Sequence, residues 1–159
     1  MKKYLILTLV IVSMLIAVTP VFGNGVVHKV SVGSPDWCYP YLPGCDANLS
    51  LEAIEFADGS VKGQMTDIWY GGYGLHAEID CLVVEGNEAW ISAVIKSGRT
   101  SSGYDLVGLR VNMRVMDNGT SENDPPDKLS GVYFNQAITC TDKYPLTLFD
   151  APQGQVIVK

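Results

Sequence analysis

His76, Glu78 and Asp80 alternate along the run Leu75 to Val84, and period-two spacing sets all three on one face of a strand. An imidazole beside two carboxylates can hold a metal ion or move protons. The solvent face of any half-buried strand shows the same alternation, and a solvated stripe is the expectation. A second set lies between Asp117 and Asp127, where Asp117, Asp124 and Asp127 offer the oxygen ligands that calcium uses. The spacing departs from an EF-hand, because Gly119 stands too early and no Glu closes the loop. Asp, Asn and Ser side chains that bond their own backbone explain the same composition as a turn, so no metal and no other cofactor is expected. A third set is aromatic: Trp37, Tyr39 and Tyr41 in one loop, and Trp69, Tyr70 and Tyr73 around Gly71-Gly72. These six are the ligand-binding candidates, since rigid aromatic rings present flat apolar surface with a polar edge. Their alternative role is to close the end of a barrel. No nucleophile elbow G-x-S-x-G occurs, and no catalytic residue is assigned.

The elements that must position these residues lie outside the cytoplasm, on the evidence of the N-terminus. Met1-Lys2-Lys3, an apolar run from Tyr4 to Val18 and then Thr19-Pro20-Val21-Phe22-Gly23 have the order of a cleaved signal peptide, residues 1–23. An uncleaved N-terminal membrane tether is the alternative; after cleavage no stable membrane span is expected. Four cysteines then fall in an exported domain, where disulfides persist. Cys38 with Cys45 is the favoured short bridge, because Tyr39-Pro40-Tyr41-Leu42-Pro43-Gly44 turns the chain back on itself, and Cys81 with Cys140 follows by elimination. The whole chain carries a formal charge of −6, and the leader holds Lys2 and Lys3 but no acid, so the mature domain is more acidic still. Without a basic patch, nucleic acid is excluded as a partner.

Residues 24–50 read as an N-terminal strand, Val26 to Val32, followed by the disulfide-looped aromatic insert; residues 51–159 read as the body. Leu51 to Ala57 and Ser60 to Tyr70 form a hairpin about Asp58-Gly59. Leu75 to Val84 and Glu88 to Lys96 form another, with Glu85-Gly86-Asn87 as a three-residue loop and Asn87 left-handed. That register sets Ala77, Ile79, Cys81 and Val83 on the face of Ala89, Ile91, Ala93 and Ile95; a two-residue loop would reverse it. Tyr104 to Met116 alternates most strictly, with Val107, Leu109, Val111, Met113 and Val115 on the buried side and Gly108, Arg110, Asn112 and Arg114 in solvent. Val132 to Thr139, Leu146 to Phe149 and Gln155 to Val158 supply further short strands. The class is all-β, a single antiparallel barrel of about eight short strands, with a sandwich as the alternative. A barrel is favoured because Leu82, Val84, Trp90 and Val94 leave the other hairpin face apolar too.

Asp58-Gly59-Ser60-Val61-Lys62-Gly63, the run His76 to Ile91, Val115-Met116-Asp117-Asn118-Gly119 and Pro126-Asp127 together resemble an uncharacterised group of small exported prokaryotic all-β proteins. The likeness covers Leu51 to Lys159 and implies the fold and export but no activity. The expectation is a secreted, non-catalytic binding or structural protein whose partner is a carbohydrate, a peptide or a protein. The alternatives are a small hydrolase using acidic residues or His76, and an inhibitor-like or assembly protein that contacts its partner through the Trp37 loop.

Overall fold

A computed structural model describes residues 25–34, 47–121, 123–151 and 153–159. The strands are β1 (Val26–Ser34), β2 (Asn48–Phe56), β3 (Val61–Trp69), β4 (Tyr73–Glu85), β5 (Glu88–Arg99), β6 (Arg110–Met116), β7 (Lys128–Leu129), β8 (Tyr133–Phe134), β9 (Phe149–Asp150) and β10 (Gln155–Val158). All pairings are antiparallel within a single sheet, in the order β10-β1-β2-β3-β4-β5-β6-β7-β9, with β8 also on β6. The sheet curls into a half-barrel, and the strands at its two ends, β9 and β10, are consecutive in the chain. One curled sheet, and not two stacked ones, is therefore the architecture. β1 is integral to it, flanked by β2 and β10.

Alternation makes the core. Leu49, Leu51 and Ala53 of β2, Met65 of β3, Leu75, Ala77 and Ile79 of β4, and Ala89, Ile91, Ala93 and Ile95 of β5 are all buried together. The turn Glu85-Gly86-Asn87-Glu88 departs from expectation. Glu85 pairs directly with Glu88, so the loop has two residues, and Gly86 supplies the positive φ of 61°. This loop does reverse the facing at the hairpin tip, so that Leu82, opposite Ile91, is buried and Cys81 turns outward. A bulge between Ile79 and Cys81 then restores the expected register further along, leaving Ala77 and Ile79 inside opposite Ile95 and Ala93.

Tyr104 to Leu109 is not the continuous start of a strand. Gly108 at φ 81° turns the chain, Leu106 is buried in place of Val107, and Val107 is 55% exposed. Asn112 is not in solvent either: it is 5% exposed and accepts a 2.6 Å hydrogen bond from Ser92 Oγ, itself fully buried. Its cover is the segment from Ser130 to Leu146, of which only Tyr133–Phe134 is strand; the expected strand Val132 to Thr139 is cut short. Asn112 Nδ2 donates to the Asn135 carbonyl, Trp90 Nε1 to that of Tyr144, and Arg114 to that of Leu146. The Cys81–Cys140 disulfide, with Cα atoms 5.7 Å apart, bonds this segment to β4. The outward turn of Cys81 thus meets its partner across the outer face, where Val83 and Trp90 also find cover.

Candidate functional site

The stripe on β4 faces outward, and each of its members has a different partner. His76 Nδ1 is hydrogen-bonded to Thr66 Oγ1 at 3.0 Å, directly across on β3. Glu78 pairs with Lys96 at 3.0 Å. Lys96 is the extra residue of a second bulge, opposite His76/Ala77, which aims it at Glu78. Asp80 accepts two hydrogen bonds from Arg110, at 2.8 and 2.7 Å, and they raise the Arg110 pKa above its ordinary value. The three side chains share a face without converging on a common centre; among the described residues, no group of three or more His, Cys, Asp and Glu is placed to hold a metal ion.

Around His76 the outer face is hollow. A trough of about 880 Å³, lined by polar and apolar groups in near-equal measure, crosses β1 to β5; Ile54 and Val61 line it together with Ser31, Ser50, Glu52, Lys62, Gln64, Thr66, His76, Glu78 and Lys96. Its charges are balanced, two Lys and two Glu. Glu52 pairs with Lys29 at 2.5 Å, and Lys62 Nζ stands 5.8 Å from the Phe56 ring centroid. Ser31, Ser50 and Gln64 make no side-chain hydrogen bond to any described residue. A smaller hollow of about 450 Å³ continues past the Thr66–His76 pair, lined by Ile68, Tyr73, Arg99, Asp105 and Val107 among others. Thr66 and His76 line both, so the two hollows share this pair as a common wall. No family model, curated protein or solved structure matches the chain.

The predicted aromatic residues divide. Trp37, Tyr39 and Tyr41 lie outside the described residues, as do Cys38, Cys45 and the expected signal segment, residues 1–23. Tyr70 is 74% exposed on the turn Tyr70–Gly72. Tyr73 lines the smaller hollow, with the Arg99 guanidinium 6.0 Å from its ring centroid. Trp69 packs on the core, and its Nε1 donates to Asp67 Oδ2 at 2.6 Å. Asp67 is 6% exposed, and this burial pushes its carboxyl up to about 6, with the indole hydrogen bond opposing the shift. It lines neither hollow, because alternation on β3 sends Thr66 and Ile68 outward and Met65 and Asp67 inward.

The acidic loop has a structural task. Asp127 accepts from the Asn118 and Val156 backbone N–H groups at 2.8 and 2.6 Å; Asp117 accepts from Gly119 and Val158 at 2.9 and 3.0 Å. Asp124 accepts from the Ser121 N–H at 2.8 Å. Val156 and Val158 are the alternate residues of β10 whose N–H groups point away from β1, so the two carboxylates satisfy the free side of an edge strand. The calcium candidates are thereby committed to backbone donors. No local motif announces Ser31, Ser50 and Gln64; they are ordinary polar-out positions on three strands, gathered only by strand pairing.

Proposed function

We propose that this chain is an exported, non-catalytic binding protein and that the outer trough of β1 to β5 is its site. The observation that carries the reading is the set of hydrogen-bonding groups on Ser31, Ser50 and Gln64, unmatched by described residues and held on laddered strands. Such a hollow has the size of a small-molecule or cofactor site, and side chains on rigid strands are pre-organised for a ligand. The carboxylates along it are engaged by Lys29 and Lys96, and the buried acid Asp67 points elsewhere, which favours binding over hydrolysis. The Cys81–Cys140 bridge fits an oxidising compartment. No helix among the described residues is long and apolar enough to cross a membrane. Membership of the exported prokaryotic group belongs to the same proposal.

Isotope-labelled protein titrated with neutral oligosaccharides, anionic oligosaccharides and short neutral peptides tests the site. Saturable shifts should centre on the backbone amides of Ser50, Gln64 and Thr66. Shifts confined to the opposite end of the sheet, or turnover of a probe during the titration, would overturn the reading.

A further inference from the structure

We infer that the trough takes a neutral, linear oligosaccharide, which runs along β3 past the Thr66–His76 pair and lays one sugar against Tyr73. This rests on the binding reading above and adds the ligand class and its direction.

Charge decides first. The trough's two Lys and two Glu leave it without a net field, while the whole chain at −6 repels anions. Anions are thereby disfavoured, and because Glu52 and Glu78 are already paired with Lys29 and Lys96 the trough offers a cation no unengaged carboxylate, so an uncharged ligand fits best. Backbone pairing decides next. A peptide binds a sheet chiefly by adding a strand to an open edge, but β2, β3 and β4 are each laddered on both sides, and the trough lies on their face. What remains for recognition is side-chain chemistry: two Ser hydroxyls, the Gln64 amide and the His76 ring nitrogen not used by Thr66. The hydroxyls and the amide both donate and accept, and the imidazole nitrogen does one or the other by its tautomer, a mixture that vicinal sugar hydroxyls satisfy.

Length and the aromatic end complete the fit. Outward positions on β3 run from Lys62 through Gln64 and Thr66 to Ile68, a track of about 20 Å at the strand rise. At its far end Tyr73 offers a ring with a polar edge, steadied by Arg99. A Cβ at Gly71 would stand 3.1 Å from Tyr73 Cε2, so the absence of a side chain there keeps room for that ring.

Calorimetry with cellohexaose, maltohexaose and chitohexaose, their disaccharides, hexagalacturonate and a neutral Gly-Ser-Asn peptide provides the test. At least one neutral hexamer should bind, and Gln64→Ala should weaken it about tenfold. Tyr73→Leu should weaken the hexamer by a similar factor while changing the matching disaccharide, held in the larger hollow, less than about threefold. In the wild type the hexamer should shift the amides of Gln64, Thr66 and Tyr73 together, a readout that needs no variant to fold. Binding of the peptide or of hexagalacturonate at Gln64, with every neutral hexamer inert, would overturn the ligand class and leave the binding site standing. Silence of the trough residues towards every probe would overturn both.

Discussion

Asp67 is a carboxyl buried on the inner side of β3 with Trp69 Nε1 as its hydrogen-bond donor, and burial raises it to about 6. In the unfolded chain the same group titrates near 4. The folded state therefore holds an extra proton between about pH 4 and pH 6, and stability falls as pH rises through that window. A separation of about two units corresponds to roughly 3 kcal/mol, absent below pH 4 and fully felt above about pH 7. Asp67→Asn keeps an acceptor for the indole N–H and removes the titration. Urea unfolding of both proteins from about pH 3.5 to pH 8 isolates the effect, because every other carboxyl is common to the pair and cancels in the difference. The variant should gain on the wild type by roughly 3 kcal/mol across the window, with the change centred between the folded and unfolded values. The Trp69 indole N–H resonance should titrate near 6 in the wild type and stay fixed in the variant. A stability difference that is flat with pH, or an indole titration near 4, would refute the reasoning.

Asp127→Ala removes the acceptor of two backbone N–H groups that tie β10 to the 117–127 loop, and should cost about 3 kcal/mol, or roughly 10 °C in melting temperature for a domain of this size; calorimetry checks this, and millimolar calcium should raise the wild-type melting temperature no more than chelator does. Asn112→Ala strands the buried Ser92 hydroxyl and should cost about 2 kcal/mol in urea unfolding, more than Leu109→Ala at its half-buried position. Replacing Cys81 and Cys140 together by Ser opens a loop closed over a separation of 59 residues and should cost about 4 kcal/mol on the chain-entropy model. The loss should appear in the urea midpoint, together with faster amide exchange in the segment over Trp90.

Much of the fold was legible locally. Alternation of apolar and polar residues defined β1, β2, β3 and the inward faces of β5, because a strand's two-residue period writes its burial directly into the sequence. The turn at Asp58-Gly59 and the last strand, Gln155–Val158, were legible for the same reason. The stripe of His76, Glu78 and Asp80 was correctly set outside. What failed were places where one added residue changes every facing beyond it. The bulge after Ile79 undoes the reversal made by the two-residue turn at Gly86-Asn87, and neither is visible without the partner strand. Asn112 reads as a solvent position on its own strand; only the segment tied down through Cys140 buries it. The acidic loop shows its composition in sequence, but the donors that its carboxylates answer lie on β10, up to 41 residues away. The trough is the same kind of object. Its polar residues are unremarkable one strand at a time, and adjacency across β1 to β5, set by ladder register, is what makes them a surface. Sequence determined which residues face out along uninterrupted strands, because that follows from local periodicity; tertiary pairing decided where bulges, turns and covering segments reset that facing and which residues meet, because both are fixed by contacts between distant parts of the chain.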